Sequence, residues 1–196
     1  MGKRIFDFVI SSIILTLIIP FIAAFAIIIK LTSEGSVFFL QERIGLNGKP
    51  FKIIKLRTMK KNSNGFAYLT MRNDDRIIYF GKFLRKYKLD ELPQFINVLK
   101  GEMSIVGPRP ELRRYVDLYK EDYKIILSVK PGITDYASVL FKNESDLLES
   151  PETYEKDYIY KILPSKIKIY KKYIENKSLK NDLHIMAGTI KSLISK

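Results

Sequence analysis

Residues 5–29 read IFDFVISSIILTLIIPFIAAFAIII, a stretch in which Asp7 is the only charge. A run of this length exceeds the about 20 apolar residues that a helix needs to cross a bilayer core. It is too long for the apolar region of a secretory signal, and no small-residue cleavage site stands clearly at its end. Pro20 lies inside it. A proline in mid-helix deletes one backbone hydrogen bond and crowds the preceding turn, so a kink or break is expected there. Cations flank both ends, Lys3 and Arg4 before and Lys30 after. Basic flanks favour the cytoplasmic side. A straight spanning helix cannot place both ends there, whereas a helix broken at Pro20 that enters one leaflet and returns can. A kinked spanning helix with a short outer tail fits the hydropathy as well. We read 1–30 as a membrane helix and 31–196 as a cytoplasmic domain that forms one structural unit with it.

Beyond the apolar run the pattern is that of an α+β domain, mostly helical. Val37–Leu40 and Phe51–Ile54 are strand-like, and Gly45-Leu46-Asn47-Gly48-Lys49-Pro50 between them is a run of turn formers, so 31–60 predicts a small β-hairpin. Residues 61–75 are polar and read as a loop. Ile77, Phe80, Leu84 and Tyr87 recur at helical spacing with Lys82, Arg85, Lys86 and Lys88 between them. Such a basic amphipathic helix lies in a membrane interface or packs on a core. Pro93 to Lys100 predicts a helix that stops at Gly101. Gly107-Pro108-Arg109-Pro110 reads as a stiff turn, Leu112–Leu127 as a helix ended by Pro131-Gly132, and 154–175 and 179–194 as two more helices. No internal repeat and no linker to a second domain is visible.

Composition narrows the chemistry. The absence of Cys removes disulfides, thiolate nucleophiles and Cys-based zinc sites together. His184 is the only histidine, and it sits among polar residues. Catalysis, if present, therefore rests on carboxylates, Arg, Lys or Tyr. The formal net charge is +13; the first thirty residues contribute +2, which leaves +11 on the remainder. A domain this basic suits nucleic acid, anionic lipid or a phosphorylated substrate.

Asp90-Glu91-Leu92-Pro93 is the most informative local sequence. Pro93 suits a first helical turn and pushes Leu92 away from helical geometry. The two acids then stand at a helix start, beside free N–H groups and the positive dipole end, where a carboxylate stays ionised. It can attack phosphorus or bind Mg²⁺ through oxygen; plain capping is the alternative. Arg109, stiffened by two prolines, suits bidentate binding of phosphate, or an ordinary surface ion pair. Lys55 and Arg57 share a face of an extended segment and can grip a diphosphate together, or line a solvated strand edge. Arg85, five residues before Asp90, can neutralise it, or lie on the helix surface.

In this order the chain resembles the bacterial sugar transferase family, the small monotopic polyprenyl-phosphate phosphoglycosyl transferases. The matching pieces are Lys3-Arg4, Asp7 and the interrupted apolar helix; Gln41-Glu42-Arg43-Ile44-Gly45; Lys55-Leu56-Arg57-Thr58-Met59; Asp75-Arg76; Leu84-Arg85; Leu89-Asp90-Glu91-Leu92-Pro93-Gln94; Asn97 to Gly101; Val106-Gly107-Pro108-Arg109-Pro110; and Lys130-Pro131-Gly132-Ile133-Thr134. Tyr173 to Asn176 and Ser178 to Leu183 close the pattern. The resemblance covers nearly the whole chain. It implies a transferase that moves a sugar 1-phosphate from a UDP-sugar to polyprenyl (undecaprenyl) phosphate, releasing UMP, as the first membrane step of surface glycan synthesis. It implies Asp90 as nucleophile through a covalent aspartyl intermediate, and Glu91 as its dyad partner, the pair organising Mg²⁺. Arg109, Arg85, Lys55, Arg57 and Gln94 would bind substrate or hold the dyad. Pro20 would break a re-entrant helix, so that the protein sits in the bacterial inner membrane, inserted from the cytoplasmic face, with no nucleic-acid partner.

The chain departs from the usual family run in four places. Ile19 stands where Ser often precedes the helix-breaking proline. Asp135-Tyr136-Ala137-Ser138 replaces a common Gly-aromatic-Ala-Gln. The stretch 141–165 differs, and Tyr170 stands where an acidic residue is common. Charge and the apolar segment equally suit a membrane-anchored basic module that binds anionic lipid or nucleic acid without catalysis, or a non-catalytic scaffold. The acid pair between basic elements is what such modules have no need of.

Overall fold

A 31-residue helix, α1 (Gly2–Thr32), opens the chain, and Pro20 lies within it without ending it. The computed structural model describes residues 2–60, 74–141 and 153–195. The break expected at Pro20 is absent, because a proline removes only one hydrogen bond, the one to the Thr16 carbonyl, and the turns on either side carry the helix across. The further strands and α-helices among the described residues are β1 (Phe38–Ile44), β2 (Pro50–Leu56), α2 (Tyr79–Lys86), α3 (Gln94–Lys100), β3 (Ser104–Val106), α4 (Arg113–Leu118), α5 (Lys120–Ile126), β4 (Gly132–Thr134), α6 (Tyr136–Leu140), α7 (Tyr154–Asp157), α8 (Leu163–Glu175) and α9 (Leu179–Ile194), with a π-helical turn, Tyr158–Ile162, joining α7 to α8. The fold is α+β and mostly helical.

The predicted hairpin is present and longer than its apolar cores. β1 and β2 pair antiparallel from Phe38 opposite Leu56 to Ile44 opposite Pro50. Asn47 and Gly48 take left-handed backbone in the connection, φ 56° and 75°. Gly101 ends α3 as expected, at φ 83°. Two expectations are corrected. The helix predicted over Leu112–Leu127 is two helices, divided at Tyr119 (φ −123°, ψ 45°), whose hydroxyl donates to the Ile159 carbonyl at 2.7 Å. Ile77 precedes α2 and pairs with Met59 in an isolated bridge. The loop expected at 61–75 falls mostly outside the described residues. A second sheet was not foreseen: β3 and β4 pair in parallel, Ser104 with Gly132 and Val106 with Thr134.

Both ends of α1 are fastened to the domain. Near its start, Lys3 Nζ donates to Asp182 at 2.5 Å, and Arg4 donates to the Val98 and Leu99 carbonyls at the end of α3. Asp7, buried, accepts from Ser104 Oγ at 2.8 Å and from the Ile105 N–H at 3.2 Å. Near its finish, Ile29 is fully buried with Leu56 of β2 and Leu84 of α2, and Phe25 meets Phe80 at 5.8 Å. Each such aliphatic side chain contributes about 1.5–3 kcal/mol by burial. Between the anchors, Ile13, Leu17, Ile19 and Phe21 are exposed. A helix of 31 residues is about 46 Å long if straight. By length and composition it can cross a membrane.

The domain has two further cores. One gathers α4, α5, α6 and α8 around the buried rings of Tyr115, Tyr123 and Tyr170. The other joins β2, α3, β3 and α9 through Ile53, Val98, Ile105 and Ile185, with Phe6 and Ile10 of α1 against it.

Candidate active site

The acid pair sits on a 3-10 turn, Leu89–Glu91, between α2 and α3. Lys88 enters that turn with left-handed backbone, φ 54°. The Glu91 N–H donates to the Lys88 carbonyl and the Leu92 N–H to the Leu89 carbonyl. Leu92 itself is helical, φ −53° and ψ −37°. The expected displacement of Leu92 is not found, because crowding before proline disfavours the helical region without closing it; the Glu91 and Leu92 N–H groups are bonded within the turn, and the Asp90 N–H serves its own carboxylate. The turn runs directly into α3, and the acids take their positive partners from other elements.

Those partners come from three places. Lys55, near the end of β2, donates to Glu91 Oε1 at 2.6 Å. Arg109 donates to both Glu91 oxygens, Nη2 to Oε1 at 2.7 Å and Nη1 to Oε2 at 3.4 Å. Arg85, in the last turn of α2, acts electrostatically on Asp90, and its Nε donates to Thr58 Oγ1 at 2.7 Å. Glu91 is thus held by two cations, while the Asp90 carboxylate, nearly buried, has no ion pair among the described residues. The two neighbouring acids are put to different uses by their surroundings.

The electrostatics follow. Burial works to raise the Glu91 carboxyl, but Arg109 and Lys55 outweigh it and hold it well below the usual carboxylate range. The same Glu91 charge holds Arg109 well above its ordinary value. Burial pushes the Asp90 carboxyl up, Glu91 adds to that, and Lys55 and Arg85 oppose it only in part. Burial, more than a helix start, therefore sets the Asp90 carboxyl, which lies above its ordinary value. Burial also lowers Lys55 and Arg85 from their ordinary values.

The Gly107–Pro110 turn is set by the parallel sheet. The Gly107 N–H donates to the Thr134 carbonyl at 3.1 Å, and the Gly132 N–H to the Pro108 carbonyl at 2.9 Å. A Cβ on Gly132 would lie 2.1 Å from the Gly107 nitrogen, so glycine is needed there for close approach. Beyond the turn, Glu111 is buried; it accepts from Tyr158 Oη at 2.7 Å and from Arg43 at 3.5 Å, and Arg43 also reaches the Pro110 carbonyl.

Of the residues singled out in the sequence, Lys55, Arg85, Asp90, Glu91 and Arg109 are brought together. Arg57 is not brought onto Glu91: its Nη2 donates to the Ser33 carbonyl at 2.7 Å, just past α1. The backbone pairing still reaches Arg57, whose N–H donates to the Val37 carbonyl at 2.8 Å, and its guanidinium is taken by the segment after α1 rather than by the acids. Gln94 is buried at the first residue of α3. Pro20 lies far along the chain, in the exposed middle of α1. The supports Thr58, Arg43 and Glu111 were missed. The only signal for them was their place inside or beside the matching motifs.

Comparison with known proteins identifies the family. The bacterial sugar transferase pattern matches residues 1–196. The chain is similar to a UDP-glucose:undecaprenyl-phosphate glucose-1-phosphate transferase of Escherichia coli K12, 45% identical over 155 residues, which are 76% of this chain and 33% of that protein. It is also similar to a UDP-N-acetylgalactosamine-undecaprenyl-phosphate N-acetylgalactosaminephosphotransferase of Aeromonas hydrophila, 36% identical over 98% of this chain and 44% of the other. The exopolysaccharide production protein ExoY of Rhizobium meliloti is 34% identical over 97% of this chain and 84% of its own length. The chain spans about a third to a half of the first two relatives. A match from end to end places this chain in the bacterial sugar transferase family.

Proposed function

We propose that this chain transfers a sugar 1-phosphate from a UDP-sugar to a polyprenyl phosphate at a membrane surface. One observation carries the proposal: among the described residues the buried Asp90 carboxylate is left without an ion pair while its neighbour Glu91 is held by Lys55 and Arg109. In the first step an Asp90 oxygen bonds to the sugar-bearing phosphorus, and the bond to the bridging oxygen breaks, so UMP leaves with that oxygen. In the second step an oxygen of the polyprenyl phosphate bonds to the same phosphorus and frees Asp90. Splitting the transfer lets one carboxylate take the sugar phosphate from the donor and pass it to the acceptor at one site. Arg109, a third exposed, is positioned to meet phosphate oxygens while Glu91 fixes its plane. Lys55 and Arg85 lower the repulsion between the carboxylate and the diphosphate.

The donor set fits Mg²⁺ in part. Among the described residues no three His, Cys, Asp or Glu side chains gather into a cage. Mg²⁺ is commonly held by one or two carboxylates together with substrate phosphates. The Asp90 oxygens suit that role; the Glu91 oxygens are already taken by Lys55 and Arg109. A bound Mg²⁺ would neutralise diphosphate charge, and Glu91 would act by holding the two cations.

Membrane placement has its own support. Both ends of α1 are bound to one domain and its middle is exposed and apolar, which suits a helix that bends at Pro20 without breaking, enters one leaflet and returns to the same side. α2 exposes Tyr79 and Phe83 next to Lys82 and Lys86. α9 exposes Leu179, Leu183, Ile190 and Ile194 along one face, beside Lys180 and Lys191. Both are patterns of helices that lie in an interface. Tags at either end of this chain are expected on the cytoplasmic face of bacterial inner-membrane vesicles. An N-terminal tag cut by protease from the outer face would overturn the re-entrant arrangement.

The function is tested by UMP release from a panel of UDP-sugars with polyprenyl phosphate and Mg²⁺. Release from at least one sugar is expected. No release from any, with salt-sensitive binding of nucleic acid or anionic vesicles instead, favours a non-catalytic basic module. In the same assay Arg109→Ala is expected to lower turnover on the order of 10²–10³-fold, the scale of a lost oxyanion-binding group. Arg109→Lys should recover little, because one ammonium cannot reproduce a planar two-point grip. Turnover of Arg109→Ala within threefold of the parent chain would remove Arg109 from the site.

A further inference from the structure

Three consecutive apolar side chains stand open at the start of β1: Phe38, 39% exposed, Phe39, 45%, and Leu40, 54%. Successive residues of a strand point to opposite faces, so apolar surface is open on both sides of the hairpin at this end. Farther along, the strand turns polar through Gln41, Glu42 and Arg43, and Ile44 is buried. Polarity thus changes along β1 and not across it. A sheet that packs one face on a core, or gives one face to a protein partner, alternates across the strand. A fluid apolar phase that reaches one end from both sides accounts for the gradient along it.

That end lies where α1 finishes. Val37 packs on the core of Ile29, Leu56 and Leu84, and Phe38 stands opposite Leu56 in the hairpin. The last turns of α1 leave Ile27 and Leu31 exposed, with Lys30 exposed between them. The apolar surface therefore continues from α1 onto the hairpin. The outer edge of β1 limits how deep it can go. Among the described residues β1 pairs only with β2, and another element meets its outer edge at Ile44, whose N–H donates to the Glu111 carbonyl. Open sheet edges are not tolerated in hydrocarbon. The strand backbone then belongs in the headgroup layer, with the three side chains reaching the acyl boundary.

We propose that Phe38, Phe39 and Leu40 are a lipid contact, the end of the hairpin dipping into the membrane interface beside α1 and setting the depth of the site. Phe39 stands opposite Lys55. Paired residues share a face, with Cβ atoms about 4.5–5.5 Å apart. Lys55 Nζ in turn lies 2.6 Å from Glu91 Oε1. The immersed end of the hairpin thus carries, one strand away, a cation that holds the acid pair. The inference rests on the membrane placement proposed above for α1.

The chain has no Trp, so one introduced Trp can be read alone. Full-length Phe39→Trp, Leu40→Trp, Leu17→Trp and Lys49→Trp are compared in nanodiscs that hold one copy each. The discs are made of phosphatidylcholine and phosphatidylglycerol, either plain or brominated near the headgroup end of the acyl chain. Leu17 reports the exposed middle of α1. Lys49 reports the far end of the hairpin, five residues of strand or about 17 Å from Leu40. Phe39→Trp and Leu40→Trp should each lose about half their emission or more in brominated discs, as expected of side chains about 5–10 Å into the boundary. Lys49→Trp should keep its emission. Should Leu40→Trp not fold, Phe38→Trp reports the same face. Unquenched Trp at 39 and 40 with Leu17→Trp quenched overturns the hairpin contact and leaves the placement of α1 standing. Quenching at only one of the two positions overturns immersion from both sides, and equal quenching of Lys49→Trp overturns the dip. A blue shift at 39 or 40 that needs two copies per disc and no bromine effect assigns the surface to a second copy and overturns the proposal. Unquenched Leu17→Trp defeats the placement of α1, and quenching at 39 and 40 would then still support the hairpin contact.

Discussion

Asp90→Asn is expected to abolish UMP release, by a factor on the order of 10⁴ or more, the scale seen when a nucleophile is removed from an enzyme. The amide has the shape of the carboxylate and none of its charge, so it offers no anionic oxygen to phosphorus. Folding should not suffer. Asp90 is nearly buried, lies next to Glu91 and has no ion pair among the described residues, so its charge is opposed by burial and by its neighbour. In metal-free buffer the variant should melt at or above the temperature of the parent chain. Loss of turnover with unchanged or higher stability separates a chemical role from a structural one. The complementary variant Glu91→Gln should behave differently, since it strips Lys55 and Arg109 of their shared anion. Turnover by Asp90→Asn near the parent rate would remove Asp90 from the chemistry. So would a sugar-phosphate adduct trapped on a peptide lacking it.

What could be read in advance divides by the range of the interactions. α3 was legible because its signals are local: Pro93 at its start and Gly101, needing φ 83°, at its end. The hairpin was legible for the same reason, from two apolar runs and a turn-rich link. The parallel pair β3–β4 was not. Each strand has three residues, too few to show a period, and their pairing spans more than two dozen residues of chain. Tyr119 divides a helix that its neighbours' spacing would continue, and its reason, the bond to Ile159, lies on a distant element.

The site divides in the same way. Asp90, Glu91, Arg109, Arg85 and Lys55 could be named from the sequence as candidates, because acids beside a proline and an arginine between prolines are unusual locally. Which acid takes the cations could not be named. That depends on β2 and the Gly-Pro-Arg-Pro turn arriving at Glu91 rather than at Asp90. Arg57 shows the limit from the other side: two residues from Lys55, its guanidinium is taken by the Ser33 carbonyl, an acceptor remote in sequence. α1 was legible as an apolar helix, while its two anchors were not, since Asp182, Ser104 and Leu84 are remote from it in sequence.

Gly132→Ala is expected to be the most disruptive small substitution in the domain. A methyl group there would lie 2.1 Å from the Gly107 nitrogen, 2.4 Å from its oxygen and 2.7 Å from its Cα. All three are backbone atoms, so no side chain can rotate away. Relief requires β4 to move off β3 by about 1 Å, since ordinary contact begins near 3.4 Å. That shift stretches the Gly132-to-Pro108 and Ser104-to-Pro131 hydrogen bonds, 2.9 and 2.8 Å, which fix the turn carrying Arg109. Overpacking of a rigid core costs about 1–3 kcal/mol, occasionally more; with two backbone bonds strained as well, about 3–5 kcal/mol is expected. Turnover in the protein that remains folded should fall on the order of 10²-fold, the scale for misplacing a group by an ångström. Gly188→Ala in α9 serves as control, because its Cβ would meet only Val139 Cγ1 at 3.8 Å and a helical Gly→Ala change is neutral or stabilising. A melting temperature for Gly132→Ala within about 2 °C of the parent, far below the shift that such a loss implies, would show that β3 and β4 do not approach as closely as the turn geometry requires.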